Sequence, residues 1–75
     1  MPHIAVKLWP GRKEEAKENL AKKIVNVVVE ELNVDAGAVS VAIEEVKQSD
    51  WEEQIYKKEI KDNSNIYVKP DYEYE

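Results

Sequence analysis

The hydrophobic period changes twice along this chain, and that change limits the fold more than any other feature. Residues 3–9 alternate, with Ile4, Val6 and Leu8 on one side and His3, Ala5 and Lys7 on the other, the pattern of a half-buried strand. Pro10 and Gly11 then break it. Over residues 13–33 the spacing becomes three and four: Leu20, Ile24, Val27, Val28 and Leu32 share one helical face, opposite Glu14, Glu15, Lys22, Asn26 and Glu30. The stretch IVNVVV is rich in β-branched residues, which are weak helix formers. Its length and the flanking Glu, Ala, Lys and Leu residues still favour helix. Val25 and Val29 widen the apolar arc towards half the circumference, more than one small sheet needs, so a second surface such as another subunit is expected to cover it. After a loop at 33–37, alternation returns: Val39, Val41 and Ile43 against Ser40, Ala42 and Glu44, a second strand running to about Val46.

Strand, helix, strand predicts an α/β protein built on a βαβ unit, with parallel strands and a right-handed crossover. Such a sheet needs both faces covered, and one helix covers only one. Beyond it, Ser49 and Glu52 have the spacing of a capping box and predict a short C-terminal helix over about 50–61, with Trp51, Ile55 and Tyr56 inward. Asp62-Asn63-Ser64-Asn65 reads as a turn, and 66–68 as a short third strand ahead of Pro70. The tail, 71–75, is expected to fray. There is no internal repeat, and a single domain is expected over 1–75.

A chain of 75 residues buries little apolar surface alone and ordinarily needs disulfides, a metal or a partner. Cysteine is absent, which removes disulfides, thiolate zinc sites and a cysteine nucleophile and fits a reducing compartment. A single histidine, His3, argues against a metal staple. Self-association remains, with a homodimer expected and a hexamer as the alternative. The formal net charge is -5 and the lysines are dispersed, so no nucleic-acid footprint is expected. No apolar run approaches a membrane span, and no signal peptide is visible, so the expectation is a cytoplasmic protein without a membrane partner.

Two residues suggest chemistry. Pro2 follows the initiator methionine; once Met1 is removed, the prolyl nitrogen is a secondary amine. A free α-amino group has a pKa near ~8. Burial or a neighbouring cation lowers it and leaves a neutral base that moves protons. Many proteins carry proline second for no catalytic reason. Arg12 is the sole arginine, and a guanidinium grips a carboxylate through two parallel hydrogen bonds. Its bland reading is a solvated residue at a helix start. His3 reads as a strand histidine with a local partner. Glu44 and Glu45 are adjacent, but strand alternation aims them at opposite faces and excludes a paired-carboxylate site. Trp51 reads as core.

Together the start PHIAVKLWPGR, a helix of about twenty residues, the strand SVAIEEV and an aromatic soon after resemble the 4-oxalocrotonate tautomerase family over roughly 2–51. The resemblance implies a βαβ fold that completes its sheet by dimerisation, and an N-terminal proline acting as general base and acid on enols of 2-oxo acids. It assigns catalysis to Pro2, the carboxylate to Arg12, and a pocket-lining aromatic to Trp51. Ser40 falls where hexameric members carry a second substrate-binding arginine, which argues against a dicarboxylate substrate and against the two-arginine dehalogenase relatives. Length, SVAI, Trp51 and MPHI look closer to the longer, dimeric bacterial subgroup that acts on phenylenolpyruvate-like compounds. The expectation is therefore a tautomerase of small, mono-anionic 2-oxo acids. Pro2 shuttles the proton, Arg12 anchors the carboxylate, Leu8 and Trp51 form a dry wall, and no metal or organic cofactor is needed. The alternative is a non-catalytic oligomeric module that keeps the fold.

Overall fold

The computed structural model describes residues 1–74. The chain divides into two compact units, Met1–Glu45 and Val46–Glu75.

The first unit runs β1 (His3–Leu8), α1 (Glu14–Leu32), a 3₁₀ turn (Ala36–Ala38) and β2 (Ser40–Glu45). The strands pair in parallel, from His3 opposite Ser40 to Leu8 opposite Glu45. This is the βαβ unit that the two changes of period predict. The register puts Ile4 and Val6 beside Val41 and Ile43, so the apolar sets of both strands share one face. Helix α1 packs chiefly on β2. Gly11 between β1 and α1 has φ +119°, a conformation that L side chains rarely adopt, so glycine fits this turn. Asn33 ends α1 in the left-handed region, φ 54° and ψ 51°, with its N–H donating to the Val29 carbonyl. Asparagine tolerates that conformation better than most residues.

The inward stripe of α1 differs from the predicted one. Ala21, Ile24, Val25, Val28 and Val29 are half-buried. Leu20, Val27 and Leu32 are 39%, 57% and 58% exposed. The apolar arc is wide enough that either side of it satisfies the spacing rule. Packing on one narrow sheet selects the Val25–Val29 side and leaves the other uncovered. No residue from 1 to 45 is fully buried.

The second unit departs further from expectation. Helix α2 covers Gln48–Trp51 and continues without a break as a π-helix over Glu52–Ile60. Its start is capped by Lys47 with no side-chain hydrogen bond, so the capping box expected of Ser49 and Glu52 does not form. Ser49 already lies inside the first turn. The π winding closes with the Lys61 N–H on the Tyr56 carbonyl at 2.7 Å. In an α-helix residues five apart diverge by about 140°. Bonding from i to i+5 brings them to one side, so Ile60 joins Ile55. Ile55 and Tyr56 are the buried hydrophobic side chains, at 6% and 8% exposure.

The turn cluster is present. Asn63 accepts the Asn65 N–H on its side chain at 2.8 Å and donates to the Glu59 carbonyl at 2.6 Å. The third strand at 66–68 does not form among the described residues. Tyr67 and Val68 are 98% and 87% exposed, so their strand-favouring side chains have no surface to pack on. Where the sequence predicts a frayed tail, Tyr72 and Tyr74 form a ring cluster with Tyr56, with centroids 5.0–5.9 Å apart. Residue 75 lies outside the described residues.

Candidate active site

Pro2 stands just before β1 and is half-buried. Its carbonyl accepts the Ser40 N–H at 3.2 Å, so the ladder between the strands begins at this residue. Ser40 opens β2 and is exposed, and its Oγ lies 2.7 Å from His3 Nδ1. Pro2, His3 and Ser40 are thus gathered at one end of the parallel sheet. The expectation that His3 has a local partner is met, and that partner is Ser40.

Leu8 and Arg12 belong to the opposite end. Leu8 closes β1, opposite Glu45. Arg12 is exposed in the connection to α1, its Nη1 donating to the Trp9 carbonyl at 3.4 Å. Strand residues advance ~3.3 Å each, so Pro2 and Leu8 stand about 20 Å apart along β1. Within a single chain β1 runs between Pro2 and the end that carries Leu8 and leads to Arg12.

Trp51 is the last residue of α2, in the second unit. It is half-buried, and its Nε1–H donates to the Tyr72 hydroxyl at 2.9 Å. The second unit also contains an open hollow of about 540 Å³, lined among others by Tyr56, Ile60, Lys61, Lys69 and Tyr72 and by none of the predicted site residues.

Several surface charges are committed to neighbours. Lys17 lies 3.1 Å from Glu14 and 3.7 Å from Glu45. Its ammonium is held above the usual lysine range, first by the hydrogen bond to Glu14 and also by the Glu45 charge. Lys57 is raised in the same way, first by Glu53 and then by Glu52. Among the described residues Arg12 has only the long contact to a carbonyl, which leaves most of its donors without a protein acceptor there. No group of three His, Asp or Glu side chains suited to a metal occurs among the described residues, and no helix is long and apolar enough to cross a membrane.

Two features lay beyond sequence reasoning. The His3–Ser40 contact depends on strand register, which alternation leaves open. The anchoring of Trp51 depends on the tail, where the signal was the recurrence of tyrosine in DYEYE.

The model of the family described as tautomerase enzyme matches residues 2–54. A protein of Xylella fastidiosa named "Probable tautomerase" is 42% identical over 60 residues, covering 80% of this chain and 73% of its own. The protein named tautomerase PptA of Cronobacter sakazakii is 35% identical over 75 residues, covering 97% of this chain and 99% of its own. Among solved structures, TomN, a 4-oxalocrotonate tautomerase homologue of the tomaymycin biosynthetic pathway, superposes with a TM-score of 0.65 at 30% identity, covering 67% of this chain and 77% of its own.

Proposed function

The chain belongs to the tautomerase family, whose members named above are tautomerases and hence isomerases, and from that premise we propose that it ketonises enols of small, mono-anionic 2-oxo acids of the phenylenolpyruvate type. The observation that carries this reading is the setting of Pro2. Ser40 holds its carbonyl, the residue is half-buried, and the nitrogen takes no part in the sheet. Removal of Met1 turns that nitrogen into a positioned secondary amine. Partial withdrawal from water favours its neutral form.

The neutral amine takes the proton from the enol oxygen. The oxygen's electrons form the carbonyl, and the electrons of the C=C bond take a proton back from the prolyl ammonium at carbon. The amine is regenerated, and nothing is oxidised or reduced, so the reaction calls for no cofactor. Arg12 binds the substrate carboxylate bidentately. Since Arg12 follows the far end of β1, whose last residue Leu8 stands about 20 Å from Pro2 along the strand, the guanidinium serving a given proline comes, on this reading, from a second copy. A homodimer is therefore part of this reading, and Leu8 travels with Arg12 as apolar lining. Trp51 supplies the aromatic wall. Ser40, a neutral residue where related sites carry a cation, leaves room for one anionic group on the substrate rather than two.

The test compares samples with and without Met1, verified by intact mass, in ultraviolet assays of phenylenolpyruvate and of 2-hydroxymuconate. The Met1-free protein is expected to turn over the monoacid with the higher kcat/KM, and the Met1-retaining protein to be inactive, because an amide nitrogen is no base. Equal, measurable rates in the two samples would reject the prolyl base, and no turnover in either would favour a non-catalytic module. Preference for the diacid would reject the substrate class alone.

A further inference from the structure

We propose that Tyr72 is a positioning residue that fixes the Trp51 indole as a specificity wall for the aromatic ring of the substrate; this rests on the proposed role of Trp51. An indole has one polar hydrogen and no acceptor, so a single hydrogen bond fixes which way its polar edge turns. Here that hydrogen is donated to the Tyr72 hydroxyl at 2.9 Å. Tyr72 is in turn restrained. Its ring lies 5.7 Å from that of Tyr56, a buried residue, and 5.9 Å from that of Tyr74, while Tyr56 and Tyr74 approach to 5.0 Å edge to face. Orientation passes from the buried Tyr56 through Tyr72 to the indole. The family match ends at residue 54, so the anchor is supplied by a segment outside the matched region.

A held indole presents a constant face to a flat aryl group, whereas a rotating one loses entropy each time it is stacked. The anchor therefore matters for aryl enols and little for small aliphatic ones, a distinction that general stability does not make.

The experiment uses the full chain carrying Trp9→Phe, so that Trp51 is the only tryptophan, with and without Tyr72→Phe, which removes one oxygen and keeps the ring. Acrylamide quenching and fluorescence anisotropy report the indole. KM and kcat are measured with phenylenolpyruvate and with an aliphatic enol of a 2-oxo acid. Loss of the hydroxyl is expected to increase quenching, lower anisotropy and raise KM for the aryl substrate about fivefold, the worth of one ordinary hydrogen bond, with kcat and the aliphatic KM little changed. In a Trp51→Phe background the same substitution is expected to have no further effect on the aryl KM. Unchanged quenching and anisotropy would overturn the anchor. A freed indole with an unchanged aryl KM, or an equal rise for both substrates, would overturn the specificity role. Absence of turnover in the parent protein would defeat the proposed function and the specificity role with it, while the fluorescence would still report on the anchor.

Discussion

The two units of this protein divide its duties in opposite ways. The first, Met1–Glu45, holds the proline, the arginine and the sheet, and has no buried side chain. The second, Val46–Glu75, holds the buried pair Ile55 and Tyr56 and the tyrosine cluster, and only one of the predicted site residues, Trp51. A βαβ unit with Leu20, Val27 and Leu32 left in water is chemically specified but not fully packed. Along its first strand Pro2 and Leu8 stand about 20 Å apart. The first unit leaves apolar side chains of α1 uncovered, whereas the second packs on itself with aromatic rings.

The sharpest way to break this comparison is to remove the ring at the centre of the second unit. Truncating a buried aromatic costs about 3–5 kcal/mol. Tyr56→Ala should therefore accelerate hydrogen exchange throughout 46–74 far more than in β1 and β2; a uniform acceleration would mean that the units are one cooperative body. Next in size, Arg12→Ala should raise KM for a carboxylate substrate by about ten- to a hundredfold, since a charged hydrogen-bond partner is worth roughly 1.5–3 kcal/mol. Unchanged kinetics would return Arg12 to the status of a solvated helix-start residue. Mixing Pro2→Ala with Arg12→Ala protein should restore activity in part, through dimers that hold one intact pair; no recovery would count against sharing between copies.

The uncovered side of α1 offers a smaller effect. Val27→Glu places a charge on that surface and should weaken self-association by about tenfold, or ~1.4 kcal/mol, as read by light scattering across dilution. A dimer indifferent to this change would place the interface elsewhere. Ser40→Ala should do least. It deletes the contact to His3 but keeps the backbone bond to Pro2, so a loss of no more than about 1 kcal/mol is expected in thermal unfolding. A larger loss would make the His3–Ser40 pair a structural element in its own right.

Legibility followed the same division. In the first unit the change from alternation to a three-four spacing located β1, α1 and β2 to within about two residues, because a strand and a helix each impose their period on whatever must face the sheet. Pro2, Arg12 and Ser40 were visible as residue types in that frame. The separation of Pro2 from the Leu8 end of β1 followed from the same strand once its length was taken seriously, since a strand that is easily recognised is also a rigid spacer. In the second unit the local rules lacked a decisive pattern. Ser49 and Glu52 have capping-box spacing, yet the helix begins at Gln48. The sequence Ile66-Tyr67-Val68 favours a strand, yet nothing pairs with it among the described residues. The tyrosine cluster joins side chains that are remote in sequence, Tyr56 with Tyr72 and Tyr74, and no period announces it or the π winding.

The ladder starts at the carbonyl of Pro2 and leaves its nitrogen free of structural duty. On the proposed chemistry, maturation is thereby uncoupled from folding. A newly made chain that still carries Met1 acquires the same sheet, yet stays silent until an aminopeptidase exposes the amine. The abundance of the protein and the abundance of active sites are then separate quantities, set by different cellular steps.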